Sequence, residues 1–169
     1  MIPQLPKWKW VVGVSAIVLL ADLISKSIVM RTLEVNMPYR GDVFFHFTHQ
    51  QNRGLIGGAF SGVPLVPIIA PLFALALLIY MYRYLDPQSR IQQIAYGVAL
   101  GGAFGNQIER VFRQSVTDFL QFNFYFIPFD FPWKYYPSFN VADCGIVVGV
   151  LILAFSWQKE PKTNAPDTV

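Results

Sequence analysis

Four long apolar stretches dominate the pattern of hydrophobic and polar positions along the chain. Each is about 20 residues long, which is the length that an α-helix needs to cross a bilayer. We therefore predict spanning helices over residues 10–30, 63–82, 91–110 and 139–157, in one domain that covers residues 1–169. A cleaved signal peptide is the competing interpretation of the first stretch. No clean small-residue cleavage site follows it, however, and its apolar pattern continues to Val29.

The segments that join these stretches are of two kinds, short and long. Residues 83–90 form a short polar connection and residues 158–169 a short polar tail, whereas residues 31–62 and 111–138 are long. Four spans place both long segments on one side of the membrane and both chain termini on the other. Basic residues are equally frequent on the two sides, so only the short connections favour termini in the cytoplasm.

Aromatic residues are frequent in both long segments. The run Val43–Gln50 alternates in part between apolar and polar residues, which predicts a short strand, and Gln51–Gly54 is predicted as a turn. Residues 111–138 hold eleven aromatic residues and three prolines, a composition typical of chain at the membrane interface. The predicted fold is a mainly helical integral membrane protein, a four-transmembrane-helix bundle with a small β-element and an interfacial loop.

Composition supports this class and excludes others. Apolar residues make up 54% of the chain and charged residues 14%, against about 25% charged residues in soluble domains. The single cysteine excludes a disulfide framework within the chain and a multi-cysteine metal site. The net charge of +3, without any basic run, indicates no nucleic-acid partner.

Polar residues inside the apolar stretches gather near one end of the predicted bundle. A charged side chain within a bilayer costs at least about 2.5–3.5 kcal/mol, so such residues usually have a function. They lie where the spans meet the two long segments: Asp22 and Lys26 in the first, Asn106 and Arg110 in the third, Asn140 and Asp143 in the fourth. Asp118 follows in the second long segment. We predict that these residues converge at one membrane face and that the other face has no comparable group.

Asp118 and Asp143 are suited to acid–base chemistry if their carboxyl groups approach each other. Like charges at close range separate the apparent pKa values of a pair, so that one carboxyl is protonated and the other ionised. The ionised group then activates a water and the protonated group polarises the scissile carbonyl. This chemistry needs no metal or cofactor. We expect no metal site from His46 and His49 either, because a strand would point them to opposite faces.

Five short motifs occur in a fixed order along the chain. They are D-x-x-x-K at Asp22–Lys26, N-x-G at Asn52–Gly54, G-N-x-x-[D/E]-R at Gly105–Arg110, V-x-D-F at Val116–Phe119, and F-N-x-A-D at Phe139–Asp143. With these motifs the chain resembles the lipoprotein signal peptidases (signal peptidase II), four-span aspartic peptidases of bacterial inner membranes. Each motif alone is weak, but the five together, with the predicted spans between them, cover the whole membrane domain.

The resemblance implies a catalytic pair, Asp118 and Asp143, supported by Asn52, Gly54, Asn106, Arg110, Asn140, Lys26 and Asp22. It implies a diacylglyceryl-modified prolipoprotein as substrate, cut before its lipidated cysteine, and sensitivity to globomycin-type cyclic peptides. It also implies a β-cradle in the first long segment and a helix over the site in the second. The expected protein is a monomer that spans the inner membrane several times, with both termini in the cytoplasm and in contact with membrane lipid.

Three departures from the family pattern stand out. Glu109 occupies a position where the family usually has Asp, and Gln114 one where Gly is common. After Gly54 the usual Ala-Ala-Phe is replaced by Leu55-Ile56-Gly57. These changes concern substrate and inhibitor contacts more than the chemistry.

Other functions are compatible with some of the same residues. Ser25 or Ser27 with Lys26 would suit a Ser/Lys peptidase, although sequence neighbours on a helix point apart. Asp22, Asp118 and Asp143 would suit a relay in a proton-coupled transporter subunit, and a diverged paralogue would bind lipoproteins without cutting them. In a purely structural interpretation, the carboxylates only pair with Arg110 or Lys26.

Overall fold

Four α-helices form over the four apolar stretches. The structure is a computed structural model, and it describes residues 8–36, 43–63, 65–132 and 134–157. The helices are α1 (Trp8–Thr32), α2 (Val66–Met81), α3 (Arg90–Arg113) and α4 (Val141–Trp157). The four predicted helices are therefore present, with ends that differ by a few residues from those predicted.

Two of the helices are long and apolar enough to cross a membrane by length and composition. They are α1, with 25 residues, and the helical stretch Val66–Tyr84, with 19, in which a 3₁₀ turn continues α2. Their apolar side chains are largely exposed, as Ile17 (68%) and Phe73 (72%) illustrate, and such a surface suits contact with lipid. α4 is apolar but has 17 residues, and α3 carries polar residues along its length.

α3 is the central helix, because both α1 and α4 pack closely against it. A Cβ atom on Gly101 would lie 2.6 Å from the carbonyl oxygen of Ser15 in α1. Similarly, a Cβ on Gly149 of α4 would lie 2.6 Å from the carbonyl oxygen of Ala95 in α3. Small residues let the helix backbones approach this closely.

The ends of α3 are defined by its flanking residues. At the start, the hydroxyl of Ser89 accepts a hydrogen bond from the Gln92 N–H at 3.3 Å, which satisfies a free donor of the first turn. At the end, Gln114 adopts a left-handed conformation (φ 58°, ψ 18°), and its N–H donates to the carbonyl of Arg110. A left-handed position at a helix end favours glycine, because glycine lacks a Cβ. Gln114 has a Cβ and is therefore strained in this conformation.

The two long segments each contribute one strand to a single antiparallel sheet. β1 (Phe45–Asn52) begins and ends two residues later than the predicted strand, and β2 (Val116–Phe122) lies in the segment predicted as an interfacial loop. The pairing places Asn52 opposite Val116 and Gln50 opposite Asp118. The prediction of a loop for residues 116–122 was thus wrong. A strand whose pairing partner is distant in sequence leaves no local signal, and Asn52 and Asp118 are 66 residues apart.

Residues 123–132 and 134–138 lie in a loop that leaves β2 and returns beside it. Phe139 exchanges backbone hydrogen bonds with Leu120, and the N–H of Phe124 donates to the carbonyl of Lys134. No helix occurs in residues 123–132 or 134–138, so the helix expected over the site is not formed there. The prolines remove backbone donors, and the ring contacts of Phe124 with Phe126 and Phe131 hold the loop instead.

A shift in register between Phe47 and Gln50 changes the directions of the β1 side chains. As a result His46 and His49 are both buried, whereas the sequence predicted opposite faces. His46 Nε2 lies 3.0 Å from Gln121 Oε1, and His49 Nδ1 lies 2.9 Å from the carbonyl of Leu33. Among the described residues, no group of three potential metal ligands comes together.

The opposite end of the bundle also buries polar side chains, which were not predicted from the sequence, although they are neutral amides rather than a group of charged residues. Gln92 and Gln93 at the start of α3 are 2% and 0% exposed. Gln92 Oε1 accepts a hydrogen bond from the N–H of Asp86, and Gln93 Nε2 donates to the carbonyl of Pro87 at 3.0 Å. These amides satisfy the backbone of the turn between α2 and α3.

Candidate active site

Asp143 lies in the first turn of α4, where its carboxylate helps to begin the helix. The Asp143 N–H donates to Asn140 Oδ1 at 2.9 Å, and the Asn140 N–H donates to Asp143 Oδ2 at 3.0 Å. This reciprocal pair is a capping box, which satisfies two free donors at a helix start. The remaining oxygen, Oδ1, accepts a hydrogen bond from Asn106 Nδ2 of α3 at 2.7 Å. The side chain of Asp143 is half-buried.

Asp118 lies on β2 and is almost fully buried, with 3% of its surface exposed. Its Oδ2 accepts a hydrogen bond from Asn52 Nδ2 at 3.0 Å, and its Oδ1 accepts one from Asn140 Nδ2 at 2.7 Å. Asp118 had been expected on an interfacial loop. A strand paired to β1 holds it instead.

Asn140 joins the two carboxyl groups. Its backbone N–H bonds Asp143 and its side-chain amide bonds Asp118, and the residue itself is 0% exposed. A buried side chain with several partners has little freedom to rotate. The two carboxyl groups therefore converge on one rigid residue.

Burial changes the acid–base behaviour of Asp118. Loss of contact with water, and secondly the charge of Asp143, raise the pKa of Asp118 to about 7, while hydrogen bonds from Asn52 and Asn140 oppose the rise. A carboxyl group with such a pKa is protonated in a large fraction of molecules near neutral pH. Asp118 can therefore supply a proton to a neighbouring group.

Lys26 is the centre of a buried charged group behind the two aspartates. Its Nζ lies 2.8 Å from Asp22 Oδ2, 3.4 Å from Glu109 Oε2 and 2.8 Å from Asn106 Oδ1. Asp22 in turn accepts a hydrogen bond from the Ala142 N–H of α4 at 2.9 Å. Asp22 and Lys26 are one helical turn apart (i,i+4), and their pair ties α1 to α3 and α4.

The Asn52–Gly54 motif forms a tight turn at the end of β1. Asn52 Oδ1 accepts the Gly54 N–H at 2.9 Å, which is an Asx turn. A Cβ on Gly54 would overlap the backbone of Gly58 and Ala59. The carbonyl of Gly54 accepts a hydrogen bond from Arg110 at 3.1 Å, so the motif holds Asn52 towards Asp118 and fastens the turn to α3.

Arg110 does not pair with either aspartate in this arrangement. The ion pairs within the described ranges join Lys26 to Asp22 and Glu109, and Lys134 to Asp130. The Nε of Arg110 is buried without a hydrogen-bond partner among the described residues. The purely structural interpretation, in which Asp118 and Asp143 form ion pairs with Arg110 or Lys26, is therefore not what the structure contains.

The structure brings together all nine residues predicted for the site, and it adds two that the sequence interpretation did not include. Glu109 had been treated only as a departure from a family pattern, and Thr117 had not been considered. Thr117 donates to the Glu109 carboxylate through its N–H at 2.9 Å and its hydroxyl at 2.6 Å. The position of Glu109, three residues after Asn106 on a helix, is the signal that was available.

The Ser25 hydroxyl donates to the carbonyl of Asp22 at 2.9 Å, and Ser27 is exposed. Lys26 is turned inward towards Asp22, Glu109 and Asn106. A Ser/Lys pair is therefore not formed by these residues.

Fold and site together define a helical membrane protein with a pair of carboxyl groups at one end of its helices. The family model described as "Signal peptidase (SPase) II" matches residues 14–158. Because this match covers most of the chain, the chain belongs to the signal peptidase II family.

Individual relatives agree with this membership. The chain is 35% identical over 158 residues to a lipoprotein signal peptidase of Microcystis aeruginosa, covering 89% of this chain and 91% of the relative. It is 35% identical over 151 residues to one of Anoxybacillus flavithermus, covering 85% and 83%.

Two solved structures share the fold. Each is described as a bacterial membrane enzyme and is 24% identical to this chain. One superposes with a TM-score of 0.72 and covers 100% of this chain and 99% of its own, and the other has a TM-score of 0.73 with 95% and 99% covered. At this identity the likeness concerns the fold alone.

Proposed function

We propose that this protein is a lipoprotein signal peptidase that works as an aspartic endopeptidase. It removes the signal peptide from a diacylglyceryl-modified prolipoprotein by cutting before the lipidated cysteine, and Asp118 and Asp143 are its catalytic pair. The observation that carries the proposal is the convergence of both carboxyl groups on the buried Asn140. Membership of the signal peptidase II family supports the choice of substrate.

The two aspartates take different roles. The Asp143 carboxylate accepts a proton from a water as that water attacks the scissile carbonyl carbon. Asp118, whose burial raises its pKa to about 7, carries the proton that polarises the carbonyl oxygen. When the resulting gem-diol collapses, the C–N bond breaks and the leaving amine takes a proton from the pair. That amine is the new N-terminus of the lipidated cysteine, and no metal or cofactor is needed.

The four helices support a proposed arrangement in the membrane. All four helices cross the bacterial inner membrane, α3 with its polar face turned inward and α4 with its apolar 17 residues. The sheet and the loop that follows β2 then lie at the outer face with the catalytic pair, and both termini are cytoplasmic. In this position the pair is at the level where the lipid-modified cysteine of a substrate meets the membrane surface.

The exposed aromatic residues of the outer segments suit a lipid-bearing substrate. Phe47 and Phe60 are each 59% exposed, and Phe126 is 60% exposed. Apolar side chains at the interface can contact acyl chains and membrane lipid. The same surface and the catalytic pair would bind globomycin-type cyclic peptides, and a monomer provides every residue of the site.

The test is cleavage by purified protein of a prolipoprotein with and without its diacylglyceryl group. We expect Asp118→Asn and Asp143→Asn each to lower the rate by at least about 10²–10⁴-fold, because each removes one acid–base group. Asp130→Asn is the matched control, since Asp130 lies in the same long segment with its side chain 98% exposed. It should cleave at the wild-type rate.

Retention of activity by both Asn variants would refute the aspartic mechanism. Binding of lipidated substrate without any cleavage by the wild-type protein would instead identify a lipoprotein-binding protein. Cleavage of substrate that lacks the lipid, at an equal rate, would contradict the proposed substrate class.

A further inference from the structure

One turn of α3 contacts both halves of the catalytic pair, one directly and one through its neighbour in sequence. Asn106 donates to the Asp143 carboxylate at 2.7 Å. Three residues later, Glu109 accepts two hydrogen bonds from Thr117, which precedes Asp118 in β2. Side chains three residues apart project from the same face of a helix at a fixed spacing. The separation of the two aspartates is therefore tied to a rigid element.

The Glu109–Thr117 contact is buried and strong. The two residues are 6% and 3% exposed. The Glu109 carboxylate accepts the Thr117 N–H at 2.9 Å and the Thr117 hydroxyl at 2.6 Å, and bonds to an ionised acceptor are about twice as strong as neutral ones. Lys26, with Nζ 3.4 Å from Glu109 Oε2, compensates the buried charge. A carboxylate held by two donors and a cation has one preferred position.

Strand pairing alone does not fix Asp118 to the same degree. The register between β1 and β2 shifts between Phe47 and Gln50, and Gln50 is the residue opposite Asp118. A shift of this kind interrupts the ladder and leaves the strand more freedom to twist. The carbonyl of Thr117 accepts a long hydrogen bond, 3.4 Å, from the Asn140 side chain. The Glu109–Thr117 contact therefore supplies restraint where the sheet is irregular.

We infer that Glu109 and Thr117 are positioning residues that set the distance and orientation of Asp118 relative to Asp143. This inference rests on the proposed function, in which the two aspartates act as a pair. Neither residue touches the substrate or the reacting atoms. They act through Asp118, and Lys26 acts through Glu109 and Asn106 together.

The experiment compares threonine variants in the purified full-length protein. Thr117→Val keeps the shape of the side chain but removes the hydroxyl donor, whereas Thr117→Ser keeps the donor. Thr48→Val is the matched control, because Thr48 is a buried threonine (7% exposed) on the partner strand β1. Cleavage of lipidated prolipoprotein gives kcat and KM, and thermal unfolding reports on folding.

We expect Thr117→Val to lower kcat on the order of tenfold to hundredfold with KM within about twofold, because a small misplacement of a catalytic group slows chemistry more than binding. Thr117→Ser should recover most of the rate and Thr48→Val should match the wild type. Glu109→Gln should lower kcat at least as far, and adding Thr117→Val to it should lower kcat little more, since both changes break one contact.

A second readout does not depend on cleavage. Carboxyl ¹³C NMR of Asp118 measures the titration of this group. The charged groups that face it, Lys26 from α1, Arg110 from α3 and Asp143 from α4, are unchanged in the variant. In the wild type the midpoint should lie near the raised value of about 7. In Thr117→Val it should move towards that of an ordinary carboxyl group, because the displaced side chain gains water and leaves Asp143.

The outcomes separate this inference from the proposed function. If the Asn variants of the catalytic pair are inactive but folded Thr117→Val keeps the wild-type kcat and Asp118 titration, the positioning role is refuted and the mechanism stands. If Thr117→Val raises KM while kcat stays unchanged, the role is again refuted. If the wild type does not cleave, the function fails, and the Asp118 titration alone decides whether Thr117 positions that carboxyl.

Discussion

The two ends of the helical bundle bury polar side chains in different ways. At the end that holds the proposed catalytic pair, called the catalytic end below, six ionisable residues from four elements lie together: Asp22, Lys26, Glu109, Arg110, Asp118 and Asp143. At the opposite end, the buried polar residues Gln92 and Gln93 are neutral amides, and their bonds go to the backbone of an adjacent turn. Both ends bury polar side chains, but only the catalytic end brings together charged groups between which charge can be redistributed.

The difference teaches how to distinguish a site from a structural polar cluster in a membrane protein. Neutral amides that bond nearby carbonyls need no more than local geometry, because they balance their own desolvation. Charged residues from distant parts of the chain require each other, since an unpaired buried charge is far more costly. The catalytic end is therefore sensitive to single changes in charge, whereas the opposite end should be sensitive mainly to packing.

The largest effect should follow from removal of Lys26. Lys26→Met leaves the carboxylates of Asp22 and Glu109, 0% and 6% exposed, without their cation. We expect a loss of about 3–5 kcal/mol in the free energy of unfolding, together with loss of cleavage. Thermal and denaturant unfolding in detergent measures the first effect.

The control for this change is another i,i+4 ion pair in the same chain. Lys134 lies 3.0 Å from Asp130, and the Asp130 side chain is 98% exposed. Lys134→Met should cost no more than about 1 kcal/mol, because solvent screens an exposed pair. Equal losses for the two variants would show that burial does not distinguish the catalytic end.

The second effect is the dependence of cleavage on pH. The pKa of Asp118, raised to about 7 by burial and by the charge of Asp143, means that its proton is lost as the pH rises through that value. We expect cleavage to fall about tenfold per pH unit above this point if Asp118 must be protonated. A pH–rate profile of kcat measures it, and a rate that continues to rise above pH 8 would contradict the role of Asp118 as the acid.

The same pKa has a consequence for stability, with a defined sign. Because the folded pKa is above the ordinary value of 3.8, the folded protein binds a proton that the unfolded chain has released between about pH 4 and 7. The contribution of Asp118 to stability is therefore complete below about pH 4 and is lost as the pH rises to 7. The unfolding temperature of Asp118→Asn, relative to that of the wild type, should rise between about pH 4 and 7 and should rise no further above pH 7.

A smaller effect should come from crowding the contact between α4 and α3 at Gly149, in the middle of α4 and away from the catalytic pair. A Cβ on Gly149 would lie 2.6 Å from both the carbonyl oxygen of Ala95 and the N atom of Ala99, so Gly149→Ala must push α4 away from α3. We expect a loss of about 1–3 kcal/mol in stability. The kcat of the folded enzyme should not change, because six helical residues, about 9 Å, separate Gly149 from Asp143.

Gly13 provides the control for this substitution. It lies in α1, and a Cβ there would meet no atom within 4 Å. Gly13→Ala should leave stability unchanged or raise it by up to about 1 kcal/mol, since alanine is the better helix former. A fall in kcat for Gly149→Ala that exceeds its loss of folded protein would break the proposed separation between the Gly149 contact and the catalytic pair.

The smallest effect concerns the end of α3 that leads to the catalytic strand. Gln114 has φ 58° and ψ 18°, a conformation that costs a residue with a Cβ about 1–2 kcal/mol. Gln114→Gly should therefore stabilise the protein by about 0.5–1 kcal/mol after the extra freedom of glycine in the unfolded chain is counted. Gln114→Ala keeps the Cβ and should not increase stability. If it increases stability as much as Gln114→Gly does, the effect comes from loss of the side-chain amide and not from the backbone conformation.

Several features of the protein were determined by the sequence itself. The four helices follow from the apolar stretches, because a run of about 20 apolar residues has few other stable states in contact with lipid. The pair formed by Asp22 and Lys26 follows from helical spacing, and the turn at Asn52 and Gly54 from local turn chemistry. The motif order also identified the family and the nine residues that the structure brings together. Each of these signals depends on residues that are close in sequence.

The tertiary structure alone decided how the parts of the site are held. β2 exists because residues 116–122 meet β1 across a separation of more than 60 residues, and no local pattern encodes such a pairing. The same contact buries Asp118, so that a residue expected on an interfacial loop is restrained by a strand. From the sequence, Glu109 was only a departure from the family pattern. The packing of α1, α3 and β2 shows that it binds both Lys26 and Thr117. Burial and long-range pairing are properties of the assembled chain, and they convert two separate aspartates into a pair.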